Sequence, residues 1–356
     1  MSHRDRLLQG GSVQLEAGIS QRLSKDSTDL AIGPLSVPPS REDGRALEGL
    51  LFSYGFHEYR YVRAFRPALL RRLIQDHILA AAAESSGRVL GAWQGPRLVG
   101  ILHVKPLPWG TEHFGVRTAE IQHLLVTGAP AQRQRIAARL LKQGLQDEGS
   151  ECLVHRIDPE DYPTIHALES QGFQLVDTIV HYLCSRRGVK ISGTFPLRYP
   201  VRPMSVDDIQ DLLSLVRLRG FEGRFYHDHR FDRQKADEMY LQWVTQCCHG
   251  TLADDVLVAE YRGRVVGFLT YVRLRELERL TGLRIFGRGL LDVSPQHAGA
   301  AVDLFRAALV REGRTADFGL FDVRLTNPSM LRLCGAFRMR IAHVRHVFHW
   351  WRTPRD

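Results

Sequence analysis

The sequence has 356 residues, of which 44% are hydrophobic and 24% are charged. These values are typical of a soluble globular protein, and the length suffices for two domains that each bury a core. No apolar run reaches the roughly 20 residues of a membrane span, and the N-terminus lacks the apolar stretch of a signal peptide, so neither a membrane-spanning nor an exported protein is expected.

The formal net charge is +9, and arginine carries most of it. Because the arginines are dispersed and no motif combines aromatic with basic residues, specific nucleic-acid binding is not expected. Arginine equally suits anionic small molecules, since it can grip a phosphate with two hydrogen bonds. Five irregularly spaced cysteines favour reduced thiols and a cytoplasmic location. The Cys-Cys-His run at 247–249 lacks a second ligand pair at zinc-like spacing, so no metal is expected.

The chain begins with a polar stretch, residues 1–40, whose scattered Ser, Gly and Pro predict a disordered tail. Residues 41–186 form the first predicted domain. Its hydrophobic periodicity predicts, in order, a helix over 64–83, strands over 89–93 and 98–104, an aromatic-rich loop from Leu107, a strand over 120–126, a helix over 131–148, a strand over 152–157, a short helix over 162–171 and a closing hairpin.

A polar linker, residues 187–196, leads to the second predicted domain, residues 197–356. Its predicted elements are a helix over 206–216, a loop at RFYHDHRFD, a helix over 235–248, strands over 256–261 and 265–272, a charged connection at RLRELERLTG, a strand ending at Asp292-Val293, a helix over 297–312, a strand over 319–325 and a β-rich end. In both halves a strand pair with a tight glycine-containing turn precedes a third strand and a long helix. A further strand, a short helix and a final hairpin follow.

This repeated order resembles the plan of the GNAT acyltransferase fold. The resemblance implies an α/β chain of two tandem GNAT domains, packed with their sheets adjacent, each with a mixed, mainly antiparallel central sheet flanked by helices. Several segments resemble the TDP-fucosamine acetyltransferase group of that superfamily, with Gly110 in place of a usual Asp: 107–115, 167–177, 224–231, 236–243, 267–270, 274–277 and 289–293. That group acylates the amine of a sugar nucleotide in bacterial surface-polysaccharide synthesis.

The resemblance places coenzyme A in the second half. There, a splayed strand would pair with pantetheine, and a helix N-terminus would present amides to the diphosphate. The expected cofactor-binding residues are Leu291, Val293, His297, Gly299, Ala300 and Asn327. The family's R/Q-x-x-G-x-G/A pattern is degraded, because Ala298, Ala301 and Asp303 stand at its key positions, and starting it at Gln296 shortens the loop. The first half has no glycine ladder after Thr127, so that domain is expected to be non-catalytic.

No catalytic residue is assigned, but three candidates are His227, Asp292 and Cys334. Cys334 aligns with the group's proton-donating Tyr, although a buried, inert thiol is the favoured alternative. Glu120 is a further candidate base, because it lies on a central strand. The alternative is that its carboxylate is simply solvated. The histidines at 343, 346 and 349 alternate faces of a strand and are expected to pack rather than to bind a metal.

The acceptor side is expected to lie on the RFYHDHRFD loop, against the alternative that Arg–Asp pairs merely tie this loop. Its expected substrate-binding residues are Arg224, Tyr226, His227, Asp228 and Arg230. The sequence thus predicts an acyl-CoA-dependent N-acyltransferase with acetyl-CoA as cosubstrate and an amino sugar, sugar nucleotide or similar small, anionic amine as acceptor. A homodimer is possible. The alternative is a catalytically degenerate tandem protein that acts as a binding or scaffolding partner in surface-polysaccharide synthesis.

Overall fold

The computed structural model describes residues 30–35, 39–84, 88–146, 149–185, 197–219 and 222–353. Most of the predicted tail and the whole predicted linker lie outside these residues.

The described residues form thirteen strands and eleven α-helices. The strands are β1 Leu30–Pro34, β2 Arg88–Gln94, β3 Arg97–Pro106, β4 Thr118–Val126, β5 Cys152–Ile157, β6 Gln174–Ser185, β7 Val201–Pro203, β8 Asp255–Tyr261, β9 Arg264–Arg273, β10 Ile285–Gly287, β11 Leu291–Val293, β12 Phe318–Arg324 and β13 Arg340–Trp351. The helices are α1 Arg41–Ser53, α2 Pro67–Glu84, α3 Pro108–Phe114, α4 Pro130–Leu145, α5 Tyr162–Ser170, α6 Ile209–Arg219, α7 Arg224–His227, α8 Arg233–Cys248, α9 Arg275–Thr281, α10 Ala300–Glu312 and α11 Pro328–Ala336.

The N-terminal copy, from β1 to β6, follows the predicted order. Its strands run β1–β2–β3–β4–β5, antiparallel except for the parallel β4–β5 pair. The edge strand β1 falls within the stretch predicted as a disordered tail. Leu30 packs into the apolar cluster that also contains Leu140 of α4, so this strand gains apolar burial as well as hydrogen bonds.

The C-terminal copy, from β7 to β13, repeats the arrangement in the order β7–β8–β9–β10–β12. The β10–β12 pair is parallel, and β11 pairs with β9 alone. Helix α10 covers one face of this sheet, where Leu304 and Phe305 are buried. Helices α6 and α8 cover the other face around Phe268.

The end of each copy differs from the predicted hairpin, because each copy ends in one long strand that completes the other copy. Strand β13 inserts between β5 and β6 and pairs antiparallel with both. Strand β6 in turn pairs antiparallel with β12. The two sheets are therefore one continuous sheet rather than two adjacent sheets.

Three segments predicted as loops contain short helices: α3, α7 and α9. Helix α3 has a proline in its first turn, and Gly115 ends it in the left-handed conformation at φ 69°. Gly282 ends α9 in the same way at φ 71°. These helices are one or two turns long, too short for a hydrophobic period to stand out. Within the described residues, no helix combines the length and apolarity needed to cross a membrane.

Candidate active site

The C-terminal copy opens where β11 leaves β12. A bulge at Gly287-Arg288-Gly289 separates β10 from β11, and Arg288 adopts φ 52°. A Cβ atom on Gly287 would lie 1.8 Å from the carbonyl oxygen of Leu320, and one on Gly289 would lie 1.6 Å from that of Thr270. Only glycine allows this close approach, so the two glycines set the point of divergence.

The diverging strand keeps backbone groups directed away from its one partner. Ser294 donates to Val266 and Thr270 donates to Leu290, each at 2.8 Å, so alternate residues from 290 to 294 bond to β9. By the alternation of an antiparallel ladder, the amides of Leu291 and Val293 face the gap toward β12. This is the geometry expected at these two positions for a strand that pairs with pantetheine.

The gap is a cleft of about 590 Å³, which we call the splay cleft. Its walls are β11, the start of α10, the end of β12 and the start of α11. It is lined by Glu222, Leu291, Asp292, Val293, Ala298, Ala301, Val302, Arg324, Thr326, Asn327, Pro328, Ser329, Met330, Arg332, Leu333 and Ala336. Three of the six predicted cofactor-binding residues, Leu291, Val293 and Asn327, are in this lining.

The start of α10 retains amide donors despite its lost glycines. Ala301 donates to Ala298 and Val302 donates to Gly299, which tightens the first turn. In the described part of the chain, the amides of Gly299 and Ala300 have no acceptor. Because α10 is 13 residues long, its dipole and these two amides favour an anion at this end.

The other predicted residues of this segment lie outside the cleft lining. The side chain of Ala300 is buried in the core, and His297 packs on Tyr261 with ring centroids 4.7 Å apart. Asp303, which would repel a diphosphate, is turned away: its Oδ2 accepts from the amide of Tyr199 at 3.0 Å. The carboxylate of Asp303 therefore does not point into the splay cleft.

Asp292 lines the splay cleft and is 4% exposed. Its Oδ1 accepts from the amide of Val293 at 2.9 Å. The carboxylate therefore holds one of the two strand amides that face the gap, and a ligand pairing with that amide would displace it.

The predicted thiol candidate lies elsewhere. Cys334 on α11 is fully buried in the apolar cluster of the C-terminal copy, outside the cleft lining. Burial raises the pKa of this thiol to about 12. A neutral, enclosed thiol suits the packing alternative.

A second cavity, of about 640 Å³, adjoins the splay cleft and contains residues of both copies. We call it the shared cavity. It meets the splay cleft at Glu222, Leu291, Arg324, Asn327 and Met330. The N-terminal copy contributes residues of its strands β5 and β6, and β13 adds Val347. These N-terminal residues are Arg156, Asp177, Ile179 and His181.

An ion-paired cluster lies on the wall of the shared cavity. His181 Nδ1 and Asp322 Oδ1 are 2.6 Å apart, which makes His181 the donor when its neutral ring is protonated at Nδ1. Arg288 Nε lies 3.7 Å from Asp322 Oδ2, and its guanidinium also bonds to the hydroxyl of Tyr59. Burial alone would raise the pKa of Asp322, but His181 and Arg288 hold it below its usual range. The cavity thus presents an ionised carboxylate whose side chain is 36% exposed.

Of the predicted acceptor-side residues, only Arg224 lines the shared cavity. Tyr226 donates to Asp237 at 2.7 Å, and His227 Nδ1 lies 2.8 Å from the carbonyl oxygen of Val176. Neither side chain is in the lining.

The remaining part of that loop ties down the C-terminal strand. Asp228 is 6% exposed and accepts from His349 at 2.8 Å and from Trp351 at 2.7 Å. Arg230 lies over the ring of Trp351 at 6.0 Å. His343 and His349, predicted to pack, are both buried, and His346 bonds to Thr178 at 2.9 Å.

Among the segments that resemble the TDP-fucosamine acetyltransferase group, 107–115 contacts the region that contains 224–231 and 236–243. His113 Nε2 lies 2.6 Å from the carbonyl oxygen of Lys235, and Lys235 Nζ donates to the carbonyl oxygen of Phe114 at 2.9 Å. Phe114 packs on Phe231 with ring centroids 4.7 Å apart. These segments therefore form a contact between the two copies.

The N-terminal copy has a corresponding divergence, since β4 and β5 pair only from Thr118 to Ile121 on β4. Here Arg133 of α4 forms an ion pair with Asp161, whose side chain is 0% exposed. The same guanidinium lies over the ring of Phe56 at 4.7 Å. Because Arg133 follows β4 and Asp161 follows β5, the pair joins the two sides of the divergence.

Glu120 lies on the other side of that strand pair. It forms an ion pair with Arg156 and lines a separate cavity of about 250 Å³. Within the described residues, no cluster of three or more His, Cys, Asp or Glu has an arrangement that could hold a metal.

The fold agrees with that of known acetyltransferases. The GCN5-related N-acetyltransferase from Sphaerobacter thermophilus matches with a TM-score of 0.58 at 13% identity, over 93% of this chain and 98% of its own. A tandem GNAT protein from the clavulanic acid biosynthesis pathway matches with a TM-score of 0.50 at 12% identity, over 92% and 100% of the two chains. The chain has a tandem GNAT fold. At these identities the likeness establishes the fold alone.

Similarity at the level of sequence covers less of the chain. No protein-family model matches the chain. A curated relative, the spore coat polysaccharide biosynthesis protein SpsD of Bacillus subtilis (strain 168), is 21% identical over 184 residues. The match spans 51% of this chain and 61% of the relative.

No motif in the sequence predicts the shared cavity. His181 and Asp322 are 141 positions apart in the chain, and neither belongs to a motif with a fixed spacing. Only the GRG sequence at 287–289 carried a local signal, because paired glycines in a strand indicate a bulge or a close backbone approach.

Proposed function

We propose that this protein is an acyl-CoA-dependent N-acyltransferase whose C-terminal copy binds the acyl-CoA and whose acceptor enters the shared cavity. The observation that carries the proposal is the meeting of the two spaces at Leu291, Arg324 and Asn327. A thioester held against β11 in the splay cleft would thereby face an amine in the shared cavity. GNAT neighbours and a relative named for polysaccharide biosynthesis support this class of reaction.

In this reaction the acceptor ammonium first loses a proton, and the neutral amine then attacks the thioester carbonyl. The C–N bond forms, the C–S bond breaks, and coenzyme A leaves as the thiol after taking the second amine proton. The carboxylate of Asp322 would bind the acceptor's ammonium in the shared cavity. The gap-facing amide of Leu291, together with that of Val293 once a ligand displaces Asp292, would supply donors for the carbonyl oxygen. Asp292 beside them remains a candidate base.

The N-terminal copy then has a supporting role. Its Arg133–Asp161 pair spans the position that corresponds to the splay cleft, whereas its strand β6 forms part of the acceptor wall. An amino sugar or sugar nucleotide, with acetyl-CoA as the donor, is the acceptor class that the sequence resemblance favours.

The second candidate function is a non-catalytic binding or scaffolding role in surface-polysaccharide synthesis. The observation that favours it is the degraded phosphate loop, in which Ala298 and Ala301 replace family residues. The two functions differ in one measurable property, since only the transferase requires acyl-CoA in the splay cleft.

The experiment is a calorimetric and thermal-shift titration with acetyl-CoA. The proposal expects stabilisation of the wild type and at least a tenfold loss of affinity in Ala298→Asp, which adds a negative charge where the diphosphate would lie. Ala129→Asp is the matched control, because Ala129 is the N-cap of the corresponding helix α4 in the N-terminal copy.

Absence of binding at millimolar acetyl-CoA would refute the transferase proposal. If Ala129→Asp weakens the binding of acetyl-CoA and Ala298→Asp does not, the donor binds in the N-terminal copy, which contradicts the proposal. Release of the free thiol with a panel of amino sugars and sugar-nucleotide amines would then identify the acceptor.

A further inference from the structure

Arg224 stands apart from the other arginines of the shared cavity. Arg288 lies 3.7 Å from Asp322, Arg324 lies 3.5 Å from Glu222, and Arg156 pairs with Glu120. Within the described residues, no carboxylate and no hydrogen-bond acceptor contacts the guanidinium of Arg224. The ring of Phe225 lies against it, with its centroid 4.6 Å from the guanidinium carbon.

This arginine is also partly removed from water. It is half-buried in the wall of the cavity, whose lining also contains Tyr240 and Trp243. Burial, followed by repulsion from Arg156, lowers the pKa of the guanidinium to about 10. It therefore remains charged at neutral pH, and within the described residues no carboxylate forms an ion pair with it.

An unbalanced charge of this kind costs free energy in the ligand-free protein. Buried charges in proteins are normally paired, because removal from water is otherwise uncompensated. The contact with Phe225 offsets only part of this cost, because a cation–π contact is weaker than the hydration that burial removes. A residue that weakens the free protein in this way is explained by a ligand that supplies the missing anion.

We propose that Arg224 is an oxyanion subsite of the shared cavity and binds a phosphate or carboxylate group carried by the acceptor. The identification of the ligand as the acceptor rests on the proposed function. The anion-binding role of Arg224 is inferred from the cavity itself. The planar guanidinium can donate two parallel hydrogen bonds to such a group. Asp322 on another wall would bind the ammonium of the same molecule, so the acceptor would carry both charges.

The test uses inorganic pyrophosphate and citrate as separate probes, with the full chain and intrinsic fluorescence as the signal. Trp243 lines the same cavity and reports binding there, and Trp243→Phe identifies its share of the signal. Arg224→Met is the main variant, and Arg224→Lys keeps the charge without the fork. Arg230→Met is the matched control, because Arg230 is on the same loop, outside the lining.

We expect Arg224→Met to weaken the binding of at least one probe tenfold or more, Arg224→Lys to restore part of it and Arg230→Met to change it less than twofold. Tighter binding of pyrophosphate identifies a phosphate-bearing acceptor, and tighter binding of citrate a carboxylate. Ala298→Asp separates the two anion sites, because it should abolish binding at the start of α10 and leave the Trp243 signal intact.

The unfolding temperature is a second measurement, because a purely structural role of Arg224 predicts a change of the opposite sign in Arg224→Met. Removing an uncompensated charge should leave the unfolding temperature of ligand-free Arg224→Met equal to or above that of the wild type. A lower unfolding temperature, or unchanged probe binding in Arg224→Met, would overturn the proposal. If acetyl-CoA fails to bind but probe binding still depends on Arg224, the transferase proposal is refuted and the anion subsite is retained. If acetyl-CoA binds but probe binding does not depend on Arg224, only the anion subsite is refuted.

Discussion

Acidification should destabilise this protein through three histidines that cross the N-terminal sheet. His103 on β3, His123 on β4 and His155 on β5 occupy neighbouring strands, and the rings of His103 and His123 are 5.7 Å apart. Burial is the first cause that lowers their pKa values, to about 4 for His103, about 3 for His123 and about 4 for His155. All three are therefore neutral in the folded protein at pH 5.

The sign follows from proton linkage. In the unfolded chain each imidazole has a pKa near 6.5 and binds a proton as the pH falls below that value, whereas the folded chain does not. The stabilising contribution is complete above pH 6.5 and is lost progressively toward pH 4. Each histidine costs about 1.4 kcal/mol per pH unit over this window, or about 2 kcal/mol between pH 6.5 and pH 5. Three such groups together approach the whole stability of an ordinary domain, about 5–15 kcal/mol.

The assay is guanidinium unfolding followed by tryptophan fluorescence at pH 7 and pH 5. His103→Leu is the test variant, since both ring nitrogens of His103 are buried without a hydrogen-bond partner in the described residues. It should keep its stability at pH 7 and lose about 2 kcal/mol less than the wild type on acidification. His166→Gln is the control, because His166 is exposed on α5. An equal pH-dependent loss in wild type and His103→Leu would refute this reasoning.

Three further outcomes are expected. Gly289→Ala should abolish acetyl-CoA binding in calorimetry, because its Cβ would lie 1.6 Å from the Thr270 carbonyl oxygen. The control Gly49→Ala, whose Cβ would have nothing within 4 Å, should bind acetyl-CoA normally. Retained binding in Gly289→Ala would contradict the role of the bulge. Arg133→Met should lower the free energy of unfolding by about 3–5 kcal/mol, since it leaves the buried Asp161 unpaired, without changing acetyl-CoA affinity; a loss of affinity would place the donor in the N-terminal copy. Cys334→Ala should retain thiol release in the acyl-transfer assay, and a hundredfold loss in a normally folded variant would show that the thiol takes part.

The sequence by itself determined the repeated architecture. Hydrophobic period, glycine turns and chain order gave most strands and the long helices, because each depends on residues close in sequence. The family resemblance, rather than these local signals, selected Leu291, Val293 and Asn327, which line the splay cleft. The same resemblance selected Asp228 as a substrate contact, and the structure pairs this side chain with His349 and Trp351 near the C-terminal end of the chain.

Only the tertiary structure decided how the copies complete each other. A strand's own sequence specifies which of its faces is buried, but not which neighbour it pairs with, so the exchange of β6 and β13 carried no local signal. The shared cavity depends on that exchange, since it brings His181 of one copy beside Asp322 of the other. Whether Arg224 has a counter-ion is likewise a property of assembled surfaces, because a charge is paired or left alone by residues far away in the chain.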